Sequence, residues 1–253
     1  GKDILRFHAV YWPAFLLAAG LEPPKRIFAH GWWTNEGQKI SKSIGNVIDP
    51  LVLVRNYGLD AVRYFLLREV PFGNDGDFSH QSMVRRLNGE LANDLGNLCQ
   101  RVLSMIAKNC SGEVPPHQDF LPCDLELIKK GSAMLVIMRE QLDYQKFNRA
   151  LEEIWSVIGE ANRYVDAMAP WALRKEDPNR MCTVLYVLAE TIRYIGLVVQ
   201  PFMPDASSRI LDLLAVDPTK RGFKDFDAAL IAGTSLPMPE PVFPRFIEDG
   251  QTT

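Results

Sequence analysis

Lys39-Ile40-Ser41-Lys42-Ser43, continued by Ile44-Gly45-Asn46, sets two lysines three residues apart around a small hydroxyl side chain. A lysine ammonium is a compact charge on a flexible stem, able to follow phosphate oxygens as negative charge develops on them. The segment therefore suits nucleotide polyphosphate chemistry, with Lys39 and Lys42 carrying the charge and Ser41 and Ser43 shaping the loop. Two lysines at this spacing also occur on ordinary solvated loops, so spacing alone does not decide between the two.

The chain opens Gly1-Lys2-Asp3-Ile4-Leu5-Arg6-Phe7-His8. Glycine lets backbone approach a ligand closely, Asp3 offers a carboxylate at a helix start, and Ile4 and His8 fall one helical turn apart on one face. An apolar wall beside an imidazole can hold a small amino acid, although a histidine at an amphipathic position also commonly just packs. Further along, Asn97 and Arg101 sit at i and i+4, with Asn93 one turn earlier, and Trp171 follows Ala169-Pro170. Splayed single-stranded bases are read by hydrogen bonds to their edges and by stacking on aromatic or guanidinium planes, and these side chains supply both. Taken singly, such a polar stripe equally fits solvated surface, and such a tryptophan equally closes a core.

Residues 26–30 read as a short buried strand entering a hairpin that turns at Glu36-Gly37. Asp49 as cap and Pro50 at the first helical position start a helix that ends near Gly58. The lysines thus fall in a loop between strand and helix, with Gly45 as hinge. A compact helix over residues 60–70 turns Val62, Phe65 and Leu66 inward, and the turn-forming run 71–77 marks a domain junction. From Ser79 a long helix extends to about Asn109, its stripe being Val84, Leu87, Leu91, Leu95, Leu98 and Val102. Three further stripes lie in residues 125–144, 147–168 and 185–199. None can be buried alone, so the four helices make an antiparallel bundle. Pro201 and Pro204 break the last helix, a shorter one spans 206–214, and a proline-rich tail from Leu236 to Arg245 runs extended and packs back.

With 253 residues, 47% of them apolar, the chain can bury a sizeable core and is no disordered tail. A net charge of −3 requires any nucleic-acid contact to come from local basic clusters. The four cysteines lack C-x-x-C spacing, which predicts reduced structural thiols and no zinc site. Apolar runs are interrupted by charge or proline before membrane-spanning length and no signal-peptide pattern heads the chain, so a cytoplasmic protein without membrane contact is expected.

The Lys39 to Ser43 segment resembles the KMSKS signature of class I aminoacyl-tRNA synthetases, with Ile40 in the usual methionine position, a volume-conserving exchange. The opening run, through Tyr11-Trp12-Pro13-Ala14, is similar to the GKDI–FH–WPA segment of the methionyl-tRNA synthetase family. Asn97-Leu98-Cys99-Gln100-Arg101 and Ala169-Pro170-Trp171 resemble its anticodon-binding helices. The resemblance implies a mainly α fold: the C-terminal part of a Rossmann-like α/β catalytic domain (residues 1–77), an antiparallel anticodon-binding helical bundle (78–216) and an extended tail packing back on both (217–253). It implies a ligase that activates methionine with ATP and Mg²⁺ and charges tRNA bearing a CAU anticodon. In that scheme Gly1, Asp3, Lys39 and Lys42 bind ATP, and Ile4 and His8 line the methionine pocket. Lys39, Ser41, Lys42 and Ser43 form the catalytic loop, and Asn93, Asn97, Arg101 and Trp171 meet the anticodon. The HIGH-containing half of such a domain is not in the sequence, so the chain is expected to be the back half of the enzyme. Two alternatives remain: a tRNA-binding module without catalysis of its own, and a class I synthetase of the leucine, isoleucine and valine group.

Overall fold

The computed structural model describes residues 1–247. Strand β1, Trp33–Asn35, pairs antiparallel with β2, Gln38–Lys39, in the register Thr34 to Lys39. The connecting residues Glu36 and Gly37 both take positive φ, 50° and 75°, as a tight right-twisted hairpin turn requires. A third strand, β3, Gly76–Phe78, lies parallel to β1 on its other side, giving the order β2-β1-β3. The run expected to be only a junction loop thus ends in a strand.

The strand expected at residues 26–30 does not form. That segment takes no regular secondary structure and has no strand partner, Ile27 and Phe28 are exposed, and the Lys2 amide donates to the His30 carbonyl at 2.9 Å. Strand geometry needs a neighbouring ladder, and the ladder begins only at Trp33. Between the two, Gly31 is held to glycine by close approach, since a Cβ there would lie 2.2 Å from the Asn74 carbonyl oxygen.

Ahead of the sheet, short wound turns at Lys2–Ile4 and Phe7–Tyr11 lead into α1, Trp12–Ala18. Behind it, Asp49 accepts from the Leu51 amide and Pro50 opens α2, Pro50–Tyr57. Gly58, at φ 87°, turns the chain into α3, Leu59–Arg68. Helix α3 buries Ala61, Val62, Tyr64 and Phe65, but Leu66, expected inward, is exposed. At ~100° per residue the buried arc ends near Val62, and position 66 falls beyond its edge.

The long rod after the Ser79 cap consists of α4, His80–Arg86, a π-helical stretch, Leu87–Gly96, and α5, Asn97–Asn109. A regular α-helix was the expectation, with its inward stripe starting at Val84. Met83, Leu87, Leu91 and Leu95 recur every four residues and are buried, whereas Val84 is only half-buried. The bundle is completed by α6, Pro122–Asp143, α7, Phe147–Met168, and α9, Pro178–Val198, with α8, Pro170–Glu176, and α10, Pro204–Leu213, packed on α9. Contrary to expectation, α9 is long and apolar enough to cross a membrane by length and composition, yet it is almost wholly buried as the central helix.

Helix α3 packs against α7, and a charged lattice reinforces that seam: Arg68 reaches Glu90 and Glu152, and Arg86 joins Glu69 and Glu90. The apolar core runs unbroken from Ala61 in α3 to Val242 in the tail. Asn88 exchanges two hydrogen bonds with the Phe246 backbone, at 2.8 and 3.1 Å, and the Phe246 ring lies against Tyr57.

At the start of α6, Asp124 is fully buried and its carboxylate accepts from Arg180 (2.5 and 2.7 Å), the Tyr164 hydroxyl (2.5 Å) and the Leu121 amide (2.9 Å). Burial works to raise its pKa, but the Arg180, Tyr164 and Leu121 donors outweigh that and push it down to about 2. A folded value below the ordinary ~3.9 means stabilisation that is complete above the ordinary value and is lost as pH falls through about 2. The linked contribution is roughly 2–3 kcal/mol. Melting temperature should therefore drop between about pH 4 and pH 2, and Asp124→Asn, which cannot titrate, should flatten that part of the curve. Parallel curves for parent and variant would refute the assignment.

Candidate active site and nucleic-acid interface

Lys39 is the last residue of β2, so its backbone is fixed by the hairpin while the residues after it leave the sheet. Asn46 closes the loop that follows. The Ser41 amide donates to Asn46 Oδ1 at 2.8 Å, Asn46 Nδ2 donates to the Lys39 carbonyl at 3.1 Å, and Asn35 Nδ2 donates to the Asn46 carbonyl at 3.0 Å. Within this clasp the Ser41 and Ser43 hydroxyls bond each other at 2.7 Å, and Gly45 ends the turn at φ 76°. Lys42 sits on the exposed outer side with no ion-pair partner among the described residues. The result is a turn with a held base and an uncommitted cationic tip, the arrangement required for a charge that closes on a ligand.

Gly1, Ile4 and His8 line one cleft of about 330 Å³, together with Trp12, Arg26 and Phe28. His8 Nδ1 lies 2.9 Å from the Ile4 carbonyl, which can only accept, so Nδ1 carries the proton and Nε2 is left for a ligand. The His8 ring also meets Trp12 edge to face at 6.1 Å. Asp3 is engaged elsewhere, its carboxylate accepting from the Trp32 indole N–H at 2.6 Å.

Trp32 joins these groups. Its ring lies 4.1 Å from the Lys2 ammonium and 5.9 Å from the Lys39 ammonium, and its backbone amide donates to Asp75 at 2.8 Å. Asp75 also binds Lys2 at 2.6 Å, and this ammonium, followed by the Trp32 amide, holds its carboxyl below the usual range. The structure therefore brings Asp3 and Lys39 together through a residue that sequence reasoning missed. The available signal was the aromatic pair Trp32-Trp33 immediately ahead of the lysine loop; Asn46, also missed, offered none beyond its turn-forming type.

On the bundle, Asn97 opens α5 and is exposed, with Arg101 one turn further along. Ala169 ends α7 in the left-handed region at φ 42°, an unusual conformation for alanine, and hands the chain to Pro170 at the start of α8. This corner presents Trp171, half-exposed, with its ring 5.8 Å from the Arg101 guanidinium. Arg101 is also paired with Asp166 of α7 at 2.7 Å. Asn93 is exposed on the π-helical stretch and its side chain reaches Asp94 at 3.4 Å. Arg101 and Trp171 are thus brought together and Asn97 adjoins them, while Asn93 stands on a differently wound segment. The Asp166 contact, between α5 and α7, had no local signature.

Comparison with known proteins agrees in both halves of the chain. Residues 1–103 match the family described as tRNA synthetases class I (M), and residues 114–253 match the anticodon binding domain of methionyl tRNA ligase. The methionine–tRNA ligase of Brucella suis is 57% identical over 249 residues, covering 98% of this chain and 48% of that protein. That of Mycobacterium tuberculosis is 50% identical over 250 residues, with 97% and 48% covered. The solved Mycobacterium tuberculosis methionyl-tRNA synthetase in complex with methionyl-adenylate superposes with a TM-score of 0.94, at 50% identity over 97% of this chain and 49% of that one. The chain spans about half the length of the curated relatives it matches. These likenesses decide against the leucine, isoleucine and valine group, and this chain belongs to the methionyl-tRNA synthetase family.

Proposed function

We propose that the protein to which this chain contributes is a cytoplasmic methionine–tRNA ligase, in which residues 1–77 complete the catalytic domain, 78–216 bind the anticodon and 217–247 pack back on both, the rest of the expected tail, 248–253, lying outside the described residues. A methionine carboxylate oxygen attacks the α-phosphorus of ATP, the bond to pyrophosphate breaks, and methionyl-adenylate forms. The terminal ribose hydroxyl of the tRNA then attacks the acyl carbon and AMP leaves. ATP enters as its Mg²⁺ complex, the ion being part of the substrate.

This chemistry asks little of side chains beyond position and charge. Gly1 and Asp3 hold the nucleotide, Ile4 and His8 the methionine, and Lys39 and Lys42 the negative charge that accumulates on the leaving pyrophosphate, with Ser41 and Ser43 setting the loop. The observation that carries the reading is the meeting of Asp3 and Lys39 on Trp32 while Gly1, Ile4 and His8 line a cleft of amino-acid size.

On the bundle, Asn97 and Arg101 read base edges of a CAU anticodon and Trp171 stacks a base, with Asn93 at the margin. A stacked base is worth ~1–3 kcal/mol, so Trp171→Ala should weaken tRNA binding roughly 5- to 150-fold. Filter binding checks this, and an affinity within twofold of the parent would remove Trp171 from the interface.

The test of the whole proposal measures methionine-dependent ATP–pyrophosphate exchange and CAU-tRNA binding on the 253-residue chain and on a polypeptide extended to the length of its relatives. The extended protein should do both. Binding without exchange on the 253-residue chain identifies that piece as the anticodon-reading part, and failure of the extended protein in both assays would overturn the proposal.

A further inference from the structure

Trp32 sits between groups that the proposed function assigns to the nucleotide, yet it has no part in that scheme. Its indole N–H donates to the Asp3 carboxylate at 2.6 Å, a hydrogen bond to a charged acceptor. Its ring face carries the Lys2 ammonium at 4.1 Å and lies within cation–π reach of Lys39 at 5.9 Å. The indole itself is fixed from behind, because its own amide and the Lys2 ammonium both bind Asp75. The neighbouring Gly31 packs against the Asn74 backbone so closely that the segment has little freedom to shift. For all this anchoring, the side chain remains half-exposed. A tryptophan that only filled space would be buried and would not spend its single donor on a carboxylate at the surface.

We propose that Trp32 is a positioning residue for ATP: its N–H aims the Asp3 carboxylate, and its ring parks the leading lysine of the KISKS loop beside that carboxylate until a triphosphate draws it away. This rests on the proposed function, since it presumes that Asp3 and Lys39 serve the nucleotide. The two contacts separate by substitution. Trp32→Phe keeps a ring face for the ammoniums and removes the donor to Asp3, whereas Trp32→Leu removes both.

The experiment is ATP–pyrophosphate exchange with the full-length protein, varying ATP at saturating methionine, with thermal melting recorded for each variant. Losing a hydrogen bond to a charged group on a half-exposed side chain should raise the ATP KM of Trp32→Phe about 5- to 20-fold with kcat little changed. Trp32→Leu, which also removes the ring face that keeps Lys39 beside the site, should raise KM further. Methionine KM and melting temperature should stay at the parent values in Trp32→Phe. An ATP KM within twofold of the parent in Trp32→Phe would overturn the proposal, as would a rise accompanied by a large fall in melting temperature. Absence of exchange in the parent protein would count against the function itself and not against the role of Trp32.

Discussion

Replacing Lys42 by alanine in the full-length protein should lower the turnover number for ATP–pyrophosphate exchange by about 10²- to 10³-fold, the usual loss when one stabiliser of transition-state charge is removed. The expectation follows from how the loop is held. Asn46 ties the Ser41 amide and the Lys39 carbonyl, so the base of the turn is rigid, while Lys42 is exposed and makes no ion pair among the described residues. A charge with no resting partner breaks no ion pair when it turns toward phosphate oxygens. Because its attraction grows as the pyrophosphate departs, its loss should appear in kcat with little change in the KM for methionine. Lys42→Arg should recover only part of the rate, since a planar fork replaces a point charge that three rotatable donors can steer. Unchanged exchange in Lys42→Ala would remove Lys42 from the mechanism.

The second large effect concerns stability. Glu190 and Arg193 lie one turn apart on α9, both almost completely buried, with Arg193 Nε donating to Glu190 at 2.9 Å. The pair also holds the chain that follows the bundle: Arg193 donates to the Phe226 carbonyl at 2.9 Å, and the Leu230 amide donates to Glu190 at 3.1 Å. Arg193→Met would leave a carboxylate buried without its counter-charge, which typically costs 3–5 kcal/mol. For a chain of this size that corresponds to a fall in melting temperature of roughly 6–20 °C. The double variant Glu190→Leu/Arg193→Met removes both charges and should restore most of the loss, because buried pairs often exchange for apolar residues near neutrality. A single variant melting within 2 °C of the parent would show that the pair is not what it is taken to be.

Much of this architecture was legible in the residues themselves, for reasons that differ from place to place. Helix α7 could be read because Leu151, Ile154, Ile158 and Val165 recur at helical spacing and are all buried. Asp49-Pro50 and Gly58 bounded α2 correctly because caps and left-handed ends are local chemistry. The first strand was misplaced because pairing is not local: what makes Trp33–Asn35 a strand is Gly76–Phe78, 43 residues further along, while residues 26–30 have comparable β-forming side chains and no ladder. The π-helical winding of Leu87–Gly96 was invisible for another reason, since a stripe repeating every four residues satisfies either winding. Apolar runs were expected to be interrupted by charge or proline before membrane-spanning length, and α9 departs from this because its charges Glu190 and Arg193 pair with each other in the core. The candidate sites divide in the same way. Lys39 to Ser43 and Asn97 with Arg101 are contiguous or one turn apart, so their association could be read directly. Trp32 with Asp3 and Arg101 with Asp166 are contacts between distant segments, and nothing in either segment announces the other.

The π-helical stretch ends at Gly96, directly before Asn97 opens α5. Its hydrogen bonds span five residues where an α-helix spans four, so it accommodates more chain per revolution without lengthening the rod in proportion. Angular phase downstream depends on that surplus: the same residues rewound as an ordinary helix, at ~100° each, would swing Asn97 and Arg101 about the axis, whereas losing a residue together with the wide winding would largely restore their bearing. The compass bearing of those two side chains is therefore set jointly by the residue count and the winding of the segment before them, and an indel there is tolerated only when the winding changes with it.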